Sequence, residues 1–75
     1  MIEFHEHLKN IRKSKNKTQK EIATALGITE RNYQSFEYGK SKPSFGNLIA
    51  LADYFNISLD YLAGRTDDPI LHKKS

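Results

Sequence analysis

Glu30, Arg31, Gln34 and Ser35 lie close together in the chain, and all four carry hydrogen-bonding side chains. Each type matches the edge of a base pair: Arg forks onto guanine, Gln onto adenine, Glu accepts from cytosine and Ser adapts to either role. On a wheel of about 100° per residue these four share one arc with Tyr38, while Tyr33 and Phe36 lie on the opposite arc. Asn32 and Glu37 fall on the flanks. Such a helix is held by its aromatic side and offers its polar side outward. Any surface helix also turns polar residues to solvent, so the surrounding sequence must decide what the arc is for.

The elements that position this arc can be read from local signals. Thr18 followed by Glu21 is a capping box, in which the Thr hydroxyl takes one unpaired N–H and the Glu reaches back to another. Ile22, Ala23 and Leu26 follow at helical spacing. Gly27 then suits the left-handed residue that ends a helix. Thr29 caps the next helix, Ile28 before the cap can staple onto Tyr33, and Gly39 ends that helix. The span from Thr18 to Gly39 therefore predicts two short helices joined by a tight turn, with the second helix over about 29–38.

Basic residues flank this pair. Lys9, Arg12, Lys13, Lys15, Lys17 and Lys20 occur with no intervening acid, and Lys40 and Lys42 follow the second helix. Acids gather at Asp53, Asp60, Asp67 and Asp68. A net charge of +3 is modest, but its asymmetry implies one face that attracts polyanions. A solvated lysine-rich loop is the plainer account of the same run.

The remaining segments read as scaffold. Phe4, Leu8 and Ile11 predict a first helix from Glu3 to Ser14. Pro43 and its neighbours form a loop. Ser44 caps a fourth helix with Phe45, Leu48, Ile49, Ala52 and Phe55 as its apolar residues, and Ser58 caps a short fifth that Gly64 ends. The expected fold is all-α: a single five-helix bundle over residues 1–64, followed by a loose tail over 65–75. With 75 residues, 37% of them hydrophobic and 28% charged, the chain is one folded domain with a small core.

Several other chemistries are excluded. There is no cysteine, hence no disulfide framework and no thiolate metal site. His5 and His7 are two apart on a helix and point in different directions, so no metal is expected. Asp67 and Asp68 precede Pro69 and read as a turn rather than a cation loop. No apolar run spans a bilayer and no secretory signal opens the chain, so the expected location is cytoplasmic. No nucleophilic triad or phosphate-cradling loop is present, and a small core leaves little room for a cleft, so neither enzyme, cofactor nor small-molecule substrate is expected.

The chain resembles the helix-turn-helix domain of the phage repressor and Cro family, with its lambda-repressor-like fold. The residues carrying the resemblance are Leu8-x-x-x-Arg12, Thr18-Gln19, Ile22-Ala23, Leu26-Gly27-Ile28-Thr29, Tyr33, Phe36-Glu37-x-Gly39, Pro43, Leu48-x-x-Leu51-Ala52, Phe55, and Ile57-Ser58-x-Asp60-Tyr61-Leu62-x-Gly64. The resemblance implies a transcriptional regulator that binds double-stranded DNA. It implies base contacts at Glu30, Arg31 and Ser35 with Gln34 beside them, and phosphate contacts at Gln19, Thr29, Lys40 and Lys42. Lys17, in the basic run, joins the phosphate set. Arg12 and Glu37 match a pair that bridges the first and third helices in this family, which implies a structural role. Glu30 has a second reading as a helix-end charge that favours the macrodipole. Tyr38 either stacks on the backbone of a duplex or covers the fourth helix.

Two function classes follow. One is a regulator, repressor by expectation, that inserts the second helix of the motif into the major groove. It would act as a homodimer on a palindromic operator, because one such helix reads too few bases to be selective in a genome. Leu59, Ile70 and Leu71 fall outside the regular core pattern and are the candidate dimer residues. The other class is a protein-interaction module of the same fold, antitoxin-like or coactivator-like. A membrane-surface role is disfavoured because the core needs the apolar face of the first helix.

Overall fold

A computed structural model describes residues 3–68. It contains α1 (Phe4–Ser14), α2 (Gln19–Leu26), α3 (Glu30–Glu37), α4 (Phe45–Phe55) and α5 (Leu59–Leu62), with no strand among the described residues. Pro69, Ile70 and Leu71 lie outside that range.

The helix ends follow the local chemistry. Thr18 Oγ1 accepts the Glu21 N–H at 3.0 Å while the Thr18 N–H donates to Glu21 Oε1 at 2.9 Å, completing the capping box. Thr29, Ser44 and Ser58 each accept the N–H three residues on. Gly27 takes φ +72° at the end of α2, and the Ile28 N–H then closes on the Ala23 carbonyl at 3.0 Å. This sharp reversal brings α3 across α2 with three residues between the helices.

The core is built from every helix. Leu8 and Ile11 of α1, Ile22 and Ala23 of α2, Tyr33 and Phe36 of α3, Leu51, Ala52 and Phe55 of α4, Ile57, and Leu62 of α5 are all buried. Removing this apolar surface from water is the main favourable term holding the bundle, at about 25 cal/mol per Å². α3 packs on both α2 and α1, so its inner side is covered from two directions.

Not every apolar residue of α4 reaches the core: Phe45 and Ile49 are 68% and 41% exposed, and Leu51 is fully buried. α4 is apolar around most of its circumference, so its sequence defines no single inner face. Contact with α2 and α5 selects the Leu51, Ala52 and Phe55 side. Leu59, expected outside the core pattern, is half-buried and packs against the core.

Candidate nucleic-acid interface

The site begins with a buried carboxylate. Glu37 is only 3% exposed and ends α3 on its inner side. Arg12 Nε donates to its Oε2 at 2.6 Å and Arg12 Nη2 to its Oε1 at 3.1 Å. Gln19 Nε2 donates to Oε1 at 3.1 Å, and the Tyr33 hydroxyl donates to Oε2 at 2.5 Å. Burial alone would raise the Glu37 pKa, but the bonds from Arg12, Tyr33 and Gln19 outweigh it and hold the carboxyl below its ordinary value. The hydrogen bond to Glu37 raises the Arg12 pKa in turn. Burial, then the bond to Glu37, pushes the Tyr33 hydroxyl up. α1, α2 and α3 are thus tied at one point. Arg12 Nη1 adds a bond to the Lys17 carbonyl at 3.0 Å, which closes the basic loop onto α1.

This network reaches the outer surface with a defined polarity. A carboxylate can only accept, so the Gln19 amide must turn its NH2 toward Glu37. Its Oε1 then faces Gln34, whose Nε2 donates to it at 3.2 Å. Gln34 is left with one N–H and its Oε1 to offer outward, the pair that matches adenine. Gln34 is half-buried and Gln19 likewise. Gln19 braces α2 against α3, and no bond among the described residues takes its second amide proton.

Arg31 and Glu30 stand exposed in the first turn of α3, and no hydrogen bond or ion pair among the described residues engages the Arg31 side chain. Thr29 is exposed, and its hydroxyl accepts from the Asn32 N–H and keeps its own proton to donate. Lys17, Lys40 and Lys42 are exposed, and Tyr38 is 56% exposed. Ser35 differs from its neighbours. It is half-buried, and its Oγ lies 2.6 Å from the Asn32 carbonyl and 2.5 Å from Ser41 Oγ.

The sequence reading missed three participants. Tyr33 was read only as a core aromatic, yet its hydroxyl bonds Glu37 four residues on. That spacing, with a buried Tyr needing a partner, was the available signal. Asn32, placed on a flank, is exposed beside Arg31. Ser41 had no local signal at all. His5 and His7 serve packing: His7 Nε2 donates to the Tyr61 carbonyl at 2.7 Å, and the His5 ring lies against Gly39. Among the described residues no group of three or more His, Asp or Glu side chains is placed to hold a metal, and no helix is long and apolar enough to cross a membrane.

A family model described as helix-turn-helix, HTH_3, matches residues 8–62. The chain belongs to the HTH_3 helix-turn-helix family. The match runs from within α1 to the end of α5 and includes α2, the tight turn and α3. The chain is 41% identical over 64 residues to the cryptic phage CTXphi transcriptional repressor RstR of Vibrio cholerae, covering 85% of this chain and 57% of that protein. It is 42% identical over 59 residues to the HTH-type transcriptional regulator YqaE of Bacillus subtilis, covering 79% and 51%. The chain therefore spans just over half the length of these curated relatives. A transcriptional regulator from Listeria innocua, known from a crystal structure, superposes with a TM-score of 0.78 at 32% identity, over 88% of this chain and 62% of that one.

Proposed function

We propose that this chain is a sequence-specific DNA-binding transcriptional regulator that works as a repressor. Residues 1–64 form its DNA-binding unit, and α3 enters the major groove. An eight-residue helix is about 12 Å long, close to the width of that groove. Arg31, Glu30 and Gln34 meet base edges. Thr29, Gln19, Lys17, Lys40 and Lys42 hold the phosphates and set the register. Two copies act together on a palindromic operator with half-sites about 34 Å apart.

The observation that carries this reading is the contrast along α3. Its inner side is fixed by Glu37 and its partners, while the Arg31 side chain stands exposed with no partner among the described residues. A helix held rigidly from behind presents its outer side chains in one geometry, as base reading requires. The names borne by the relatives, repressor and regulator, support the same role.

Selection of sites from random duplexes by the purified protein tests it. The expected result is a palindromic consensus. Arg31→Ala should relax the preference at one base position in each half-site, costing about 1–3 kcal/mol there. Lys42→Ala should weaken all sequences alike. Enrichment of no consensus, with both variants binding duplex as the wild type does, would end this reading and favour the protein-interaction module.

A further inference from the structure

Ser35 has the residue type and helix position of a base reader, but hydrogen-bond accounting gives it another task. A carbonyl oxygen can only accept, so the single Ser35 proton goes to the Asn32 carbonyl at 2.6 Å. The 2.5 Å contact between Ser35 Oγ and Ser41 Oγ must then be donated by Ser41. Both hydroxyl protons are used inside the protein. Ser35 keeps acceptor capacity alone, and Ser41 has no proton left for a phosphate.

The main chain converges on the same residue. The Lys40 and Ser41 N–H groups donate to the Ser35 carbonyl at 3.0 and 3.2 Å. Bonds of that kind ordinarily close a helix that ends in a left-handed glycine, here Gly39 at φ +75°. The hydroxyl bond is additional, and it depends on a serine at each end. Three bonds therefore bind the first loop residues after α3 to one residue of that helix. The segment so held carries Lys40 and Lys42, both exposed.

We propose that Ser35 and Ser41 form a hydroxyl clasp that orders the Lys40–Lys42 segment against α3, so that Ser35 positions phosphate-binding lysines and does not read a base. This rests on the DNA-binding reading above. A long flexible lysine on an ordered backbone loses less freedom on binding than one on a loose loop. The clasp also fixes the spacing between the backbone contacts of the loop and the base contacts of α3, which sets the register of one against the other.

The test uses the full chain as Ser35→Ala, Ser41→Ala, the double variant and Ser41→Thr. Affinity is measured for a selected site and a random duplex, with base preference profiled for each variant. Each alanine variant should weaken both duplexes by the same factor, about three- to tenfold, as expected for one hydrogen bond. The double variant should be no weaker than either single. Ser41→Thr, which keeps the hydroxyl, should bind as the wild type, and the base profile should be unchanged throughout. Amide hydrogen exchange at Lys40 and Ser41 should quicken in both alanine variants.

A change in preference at one base position in Ser35→Ala, absent in Ser41→Ala, would overturn the clasp and restore Ser35 as a reader. Losses that multiply in the double variant, or wild-type affinity in both singles, would also overturn it. If the wild type selects no duplex, the DNA reading fails by itself. Hydrogen exchange then still decides the clasp, since unchanged rates at Lys40 and Ser41 would refute it.

Discussion

Glu37 is the one buried charged residue among those described, and most of what α3 can do depends on it. Two opposed effects meet there. Leaving water disfavours the ionised carboxyl, while Arg12, Tyr33 and Gln19 favour it by direct donation, and the donors prevail. The sign of the pH dependence follows. A carboxyl lowered on folding contributes stability that is fully present above its ordinary value of 4.5 and is lost as pH falls through the lowered folded value. Tyr33 acts at the other end. Its raised pKa contributes stability that is present below its ordinary value of 10.0 and is lost as pH climbs above it. Glu37→Ala should cost about 3 kcal/mol at neutral pH, the low end for a broken buried pair. The low end applies because Arg12 keeps 13% of its side chain in water. Urea denaturation as a function of pH checks this: the variant should also lose part of the decline below pH 4.5 that the wild type shows.

At the scale of elements, two glycines end helices with nearly the same backbone but in different surroundings. Gly27 and Gly39 have φ of +72° and +75°, so an alanine at either bears a similar left-handed strain of about 1–2 kcal/mol. A Cβ at Gly27 would meet nothing within 4 Å, whereas one at Gly39 would lie 3.1 Å from His5 Nδ1. Gly39→Ala should therefore be the more destabilising. In a double-mutant cycle, His5→Ala should relieve the excess and bring the two glycine substitutions level. The caps and stops at Thr18, Gly27, Thr29, Ser44 and Ser58 were legible in the sequence because each is a contact between residues three to five apart. The facing of α4 was not, since an almost wholly apolar helix leaves the choice of inner side to its neighbours. Its consequence is measurable: Leu51→Ala should cost about 2–5 kcal/mol as a core truncation, and Phe45→Ala should stay within about 0.5 kcal/mol as an exposed one. The candidate interface divides in the same way. The outward stance of Arg31 followed from helical period. The Gln19–Gln34 and Ser35–Ser41 bonds join separate segments, and no local spacing announces them.

For the whole molecule the argument turns on where charge sits. The basic residues surround the α2–α3 face in sequence, while Asp53 and Asp60 belong to α4 and α5. DNA binding through such a face releases counterions, and the logarithm of affinity should fall with the logarithm of salt by about 0.9 for each phosphate neutralised. This slope also counts copies. On a duplex holding a single half-site, Lys42→Gln should flatten the slope by about 0.9, because one contact is lost. On the full palindrome bound by two copies it should flatten by about 1.8, because each copy loses one. Asp60→Asn, on the far helix, should leave the slope as it was. Titrations of both duplexes across a decade of salt supply the comparison. A change of about 0.9 on the palindrome as well would mean that one copy binds there. The dimeric mode would then be lost while the groove-reading role of α3 stood.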